Sequence, residues 1–180
     1  MIKITTDSTC DLPSSLLERY KIPVFPLGVV KGGRLFRDGE NIHTADIAAH
    51  VDAGGDLPTT NAVNAADYED AFRKLTEHCD AVIHINIGSA FSCCCQNTRL
   101  AAEETPEVYV VDSENLTVGT GLLVLAAAEA AEAGKSVGEI LALLESMIPR
   151  VETSFVLDRL DYMKKGGRCS AVTALGANLL

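Results

Sequence analysis

Ala81-Val82-Ile83-His84-Ile85-Asn86-Ile87 reads as a buried β-strand, and Ser89-Ala90-Phe91-Ser92-Cys93 follows as a hydroxyl-rich turn before a helix predicted over 92–104. The same arrangement occurs twice more. An extended run over 2–6 opens into Thr5-Thr6-Asp7-Ser8-Thr9, and one over 108–111 ends in Val111-Asp112-Ser113. In a sheet of parallel strands the carboxyl ends share one edge, and ligands bind in the crevice there. Ser, Thr and Asp at that edge offer hydrogen bonds to an oxygen-rich head group. They supply almost no cationic charge and no evident nucleophile–base pair, which favours binding over catalysis by this chain alone.

Helical patterns separate the extended runs. Pro13 suits the first turn of a short helix through Tyr20, and Asn64 or Ala65 begins one reaching Cys79 with Ala71, Phe72 and Leu75 on its apolar side. A helix over 119–133 stops at Gly134. Ser136 and Glu139 form a capping box for the next, whose Ile140, Leu141, Leu144, Met147 and Ile148 lie at helical spacing. Pro23 and Pro26 confine the run over 22–30 to a sheet edge or an irregular segment. Gly32-Gly33 begins a hairpin-like excursion, Thr44 caps a helix over 45–51, and 54–61 reads as a loop of turn formers. A strand over 153–157 and a helical turn over 160–165 follow. This alternation predicts an α/β fold, a mostly parallel sheet with helices on both faces and right-handed crossovers. The apolar, uncharged end over 171–180 predicts that the chain is a piece of something longer.

Composition narrows the function. The chain has 180 residues and a net charge of −10, 47% hydrophobic residues, 5% aromatics and no Trp. That acidity repels phosphate backbones and anionic lipid, and base-stacking platforms need rings, so nucleic acid is excluded as a partner. The amino terminus lacks a secretory-signal pattern. The longest apolar stretch, 121–133, carries Glu129 and Glu132 and is too short to span a bilayer. A cytoplasmic protein with reduced thiols is expected. Adjacent helical residues point about 100° apart, so Cys93-Cys94-Cys95 cannot converge on one tetrahedral ion and no metal is expected. Cys93, near a helix amino terminus, is a candidate reactive thiol, against the ordinary role of cysteine in packing. Gly119-Thr120-Gly121 lacks the third glycine of a dinucleotide fingerprint, and no phosphate-binding loop is present.

Five segments in order resemble the DegV family of fatty-acid-binding proteins. Thr5-Thr6-Asp7-Ser8-Thr9-Cys10-Asp11-Leu12-Pro13 is similar to its opening, and Leu57-Pro58-Thr59-Thr60-Asn61 sits at its Thr-Ser-Gln-Pro-Ser loop. Phe91-Ser92-Cys93-Cys94-Cys95-Gln96-Asn97 occupies its Leu-Ser-Gly-Thr-Tyr-Gln-Ser/Asn stretch. Val111-Asp112-Ser113 matches, as does Leu160-Asp161-Tyr162-Met163-Lys164-Lys165-Gly166-Gly167-Arg168-Cys169-Ser170.

The resemblance implies a first α/β domain over 1–165, Rossmann-like, and at 166–180 the start of a smaller α/β domain that is largely absent. It implies no cofactor, a long-chain fatty acid as ligand, and a partner fatty-acid kinase that uses the presented carboxylate for phospholipid synthesis. Thr60, Asn61, Ser92, Cys93 and Cys94 take the ligand positions. Asp7, Ser8, Asp112 and Ser113 support them from behind, and Lys164, Lys165 and Arg168 form a partner contact. The chain departs from the pattern at Asn61, Ala62 and Val63, which replace Ser, Gln and Pro, and at Cys93 and Cys94, which replace Gly and Thr.

From the residues alone, Ser92 either holds an anion or caps its helix. Asp7-Ser8 and Asp112-Ser113 either support ligand loops or brace turns. Lys164-Lys165-Gly166-Gly167-Arg168 is either a docking patch or a helix end with its charge complement. Two other readings of the chain stand beside the carrier: a thiol or serine hydrolase using Cys93 or Ser92, and a truncated domain unable to bind ligand.

Overall fold

The computed structural model describes residues 1–156 together with Met163, Lys164 and Gly167. Along the chain run β1 (Ile2–Asp7), α1 (Ser14–Tyr20), β2 (Val24–Phe25), β3 (Gly28–Lys31), β4 (Arg34–Arg37), α2 (Thr44–Asp52) and β5 (Thr59–Asn61). Then come α3 (Ala65–Thr76), β6 (Ala81–Asn86), α4 (Cys94–Ala102), β7 (Val108–Asp112), α5 (Thr117–Glu132) and α6 (Val137–Met147). They divide into two compact units, Met1–Leu27 with Ala62–Thr153, and Gly28–Asn61 with Ser154–Leu180.

In the first unit four strands pair in the order β2-β1-β6-β7, all parallel. The proline-flanked β2 is an edge, as its missing N–H donors require. Side chains alternate across β6, so its two faces bury different chemistry. Ile83 and Ile85 join Ile4 and Val111 against Leu123, Val124 and Ala127 of α5 and Ile140 and Leu144 of α6. Val82, on the other face, joins Phe25 and Val108 against Tyr68 and Phe72 of α3 and Cys94 and Ala101 of α4. Helices therefore cover both faces, as expected. Each fully buried Leu, Ile or Phe contributes about 1.5–3 kcal/mol.

Local chemistry sets the helix ends. Asn64 Oδ1 accepts from Asp67 N–H at 2.8 Å. In the Ser136–Glu139 box, Glu139 Oε2 accepts from Ser136 N–H at 2.9 Å and Ser136 Oγ from Glu139 N–H at 3.3 Å. Gly134 takes φ +77°, ending the turn after α5. Elsewhere the boundaries move. Thr44 is inside α2 and His43 precedes it, its N–H donating to Asp46 at 2.8 Å. The helix expected from 92 begins at Cys94, and the one expected from 119 begins at Thr117.

The second unit is antiparallel, with strand order β4-β3-β5. Gly32 and Gly33, at φ +55° and +75°, close the β3–β4 hairpin with the positive φ values that match strand twist. The loop predicted over 54–61 ends early. Thr59–Asn61 pairs with β3, Val29 opposite Thr60, because β3 offers a free ladder edge that the local sequence does not announce.

The strand predicted over 153–157 is absent at 153–156. Side-chain bonds take the place of a ladder there: Asn115 Nδ2 donates to the Val151 carbonyl at 3.1 Å, and Thr153 Oγ1 donates to Asn115 Oδ1 at 2.8 Å. Phe155 and Val156 are exposed. Leu157, most of the helical turn over 160–165, the 165/166 domain boundary and 171–180 lie outside the described residues. Among the described residues no helix is long and apolar enough to cross a membrane.

Candidate functional site

The parallel strands of the first unit bring Asp7, Asn86 and Asp112 to one sheet edge, because each ends its strand at the carboxyl end. The turn after β6 is fixed there from both sides. Ile87 N–H donates to Asp7 Oδ2 at 2.9 Å, Gly88 N–H to the Asn115 carbonyl at 2.7 Å, and Ser89 N–H to Asp112 Oδ1 at 3.0 Å. Three successive amides thus reach three different partners. Gly88 is required for this: a Cβ there would lie 2.9 Å from the Glu114 carbonyl carbon and 3.0 Å from Asn115 N. The opposing loop is itself strained, with Glu114 and the β-branched Thr117 both at φ +51°.

The serines beside the two aspartates knit the neighbouring loops. Ser113 Oγ lies 2.9 Å from the Asn115 carbonyl oxygen and 3.0 Å from Thr120 Oγ1, and Ser8 Oγ accepts from Leu27 N–H at 3.2 Å. The two carboxylates sit in different surroundings. Burial pushes Asp7 above its ordinary value despite hydrogen bonds from Thr9 and Ile87. Burial also pushes Asp112 upward, but bonds from Ser89 and Glu114 outweigh it and hold that carboxyl below its ordinary value.

Ser92 and Cys93 end this turn at the amino terminus of α4, whose first N–H groups have no intrahelical partner. Ser92 is half-buried, Cys93 exposed, and Cys94 and Cys95 buried. Ser92 Oγ accepts from Cys94 N–H at 3.3 Å and donates to Cys94 Sγ at 3.2 Å, so its hydroxyl braces the helix start in the structure described. Burial pushes the Cys94 and Cys95 thiols up, away from thiolate chemistry. His84 lies wholly inside the first unit, its Nδ1 2.8 Å from Thr5 Oγ1, and burial lowers its pKa to about 3. Among the described residues no group of three His, Cys, Asp or Glu side chains has metal-holding geometry.

Thr60 and Asn61 lie on β5 of the second unit, exposed, on a strand rather than in a loop. Lys164 is exposed, while Lys165 and Arg168 lie outside the described residues. The sequence reading missed Gly88 and Asn115. A glycine immediately after an apolar strand signals close backbone approach, and that cue marks Gly88.

A family model described as "Uncharacterised protein, DegV family" matches residues 1–180. A DegV domain-containing protein of Deinococcus radiodurans is 36% identical over 180 residues, covering 99% of this chain and 64% of its own length. One from Clostridium acetobutylicum is 37% identical over 181 residues, covering 99% and 65%. The chain thus spans just under two thirds of these relatives. A solved DegV family structure from Thermus thermophilus, described as fatty acid binding, superposes with a TM-score of 0.89 at 36% identity, covering 99% of this chain and 64% of that one. A stearic acid-binding protein from Eubacterium ventriosum gives 0.82 at 30% identity, covering 96% and 63%. With a family match over its whole length and the same fold as solved members, this chain belongs to the DegV family.

Proposed function

We propose that this chain binds a long-chain fatty acid and presents its carboxylate to a partner fatty-acid kinase in the cytoplasm, for phospholipid synthesis. The observation that carries the reading is the turn over 87–93. Its backbone is held by Asp7, Asp112 and the Asn115 carbonyl, and it delivers the Ser92 hydroxyl to a helix amino terminus. A helix amino terminus favours an anion through its N–H groups and dipole. A hydroxyl and helix amides orient a carboxylate more weakly than a bidentate Arg, which suits a carrier that must hand its cargo on.

Ser92, with Cys93 and Cys94, is the head-group contact in the first unit, and the family resemblance assigns Thr60 and Asn61 the same role in the second. Asp7, Ser8, Asp112 and Ser113 act behind them by fixing loops. Lys164, Lys165 and Arg168 are the proposed kinase contact, and the domain boundary at 165/166 belongs to the same reading. Most affinity comes from the acyl chain, at about 0.8 kcal/mol for each buried CH₂. The related proteins described as binding fatty acids support the ligand class. A hydrolase reading finds less support: Ser92 Oγ donates to a buried thiol of raised pKa rather than to a base.

Native mass spectrometry of the purified chain, followed by denaturing extraction, tests this. Intact fatty acid released on denaturation, and lost in the Thr60→Ala and Ser92→Ala variants, is expected. A covalent acyl adduct that survives denaturation would point to a thiol or serine enzyme instead.

A further inference from the structure

Among the described residues, three buried polar atoms of the first unit lack a hydrogen-bond partner in good geometry: Tyr68 Oη, His84 Nε2 and Asn86 Nδ2. All three residues are 0% exposed. Residues 84 and 86 point to one face of β6, the face covered by α3 and α4. The Tyr68 and His84 rings meet edge-on with centroids 5.3 Å apart, and Asn86 flanks the His84 ring. Thr98 of α4 flanks the Tyr68 hydroxyl and donates to Asn86 Oδ1 at 2.8 Å. The three residues therefore meet, directly or through Thr98, where α3 and α4 cover β6.

Buried polar groups in folded proteins are paired, and leaving one unpaired costs its desolvation penalty in full. An occupant of this place must accept from the Asn86 amide and pair with a hydroxyl and a ring nitrogen. Water does this with two donors and two acceptors, and internal waters characteristically make about three such bonds. The His84 ring is neutral, so no counter-charge calls for an ion.

We propose that Tyr68, His84 and Asn86 hold one internal water molecule, and that this hydrated cluster fixes the amino-terminal turn of α4, making Tyr68 a positioning residue for Ser92. The connection runs through Cys94, whose thiol lies beside the Tyr68 hydroxyl and accepts from Ser92 Oγ at 3.2 Å. The positioning role rests on the fatty-acid reading, and the water site does not.

Nitrogen-15 NMR of the His84 ring in the ligand-free chain, wild type against Tyr68→Phe, reads the site directly, and an oleate titration reads the positioning role. Tyr68→Phe keeps the ring packing and removes the hydroxyl. The expected result is a shift of the Nε2 resonance and a dissociation constant for oleate raised about three- to tenfold, the size of one lost hydrogen bond. A long-lived water giving cross-peaks to the His84 ring protons in the unmodified chain is expected as well, and this needs no variant to fold. Absence of that water signal, or an unmoved Nε2 resonance, overturns the water site. A moved resonance with unchanged affinity overturns the positioning role. A wild-type chain that takes up no oleate defeats the fatty-acid reading and with it the positioning role, and the NMR result still decides the water site.

Discussion

The two faces of the parallel sheet are built from one strand and do different work. Ile83 and Ile85 of β6 meet α5 and α6 across a face whose buried hydrophobic residues are aliphatic apart from Cys10. Val82, His84 and Asn86 look the other way. There Phe25, Tyr68 and Phe72 surround the His84 ring at centroid distances of 5.0, 5.3 and 5.6 Å, and Thr98 and Asn86 share a buried hydrogen bond. The aliphatic face gains most of its stability by excluding water, with the buried hydroxyls of Thr6 and Thr120 hydrogen-bonded within it. The polar face accepts the desolvation of several hydrogen-bonding groups, and those groups lie beneath the helix whose amino terminus carries Ser92.

Substitutions on each face separate the two roles. Leu123→Ala empties a fully buried site on the aliphatic face and is expected to cost about 2–5 kcal/mol in urea unfolding, with oleate affinity unchanged while the chain stays folded. A comparable loss of affinity would break the distinction.

The polar face is expected to answer to pH. His84 titrates near 6.5 when unfolded but only at about 3 in the fold. Its neutral form therefore contributes stability that is fully present above pH 6.5 and is lost as pH falls toward 3, at about 1.4 kcal/mol per pH unit. His84→Gln should flatten that slope in a series of melts from pH 7 downward, and an unchanged slope would contradict the assignment.

Thr98→Val keeps the shape but leaves Asn86 Oδ1 without its donor, for an expected loss of about 1–3 kcal/mol.

The smallest effects concern the two aspartates that hold the turn. Asp7 has a raised pKa, so its contribution to stability falls as pH rises from 3.8 through its folded value. Asp112 has a lowered pKa, so its contribution rises with pH from its folded value up to 3.8. Asp7→Asn and Asp112→Asn should therefore change the slope of stability against pH in opposite directions, and changes of the same sign would refute this pairing.

What the sequence disclosed follows from how far each interaction reaches. The run beginning at Ala81, the Asn64 cap and the Ser136–Glu139 box are set by neighbours within a few residues and were legible. So was the common edge of Asp7, Ser92 and Asp112, because parallel strands align their carboxyl ends. Thr59–Asn61 looked like loop because its ladder partner, β3, lies about thirty residues upstream and Gly54, Gly55 and Pro58 dominate the local signal. The meeting of Tyr68 with His84, and of Thr98 with Asn86, was hidden for the same reason: each depends on α3 and α4 folding across β6. At Ser92 the choice between capping and binding was left open by the residues, and the bonds to Cys94 show how the hydroxyl is held when the helix start is its partner.

Calorimetric titration of oleate into the 180-residue chain and its Ser92→Ala variant decides whether the Ser92 hydroxyl holds a fatty acid. Saturable binding of one acid per chain is expected, weakened about tenfold by loss of the hydroxyl. A wild-type chain that binds no oleate, or a variant that binds it equally well, would contradict it.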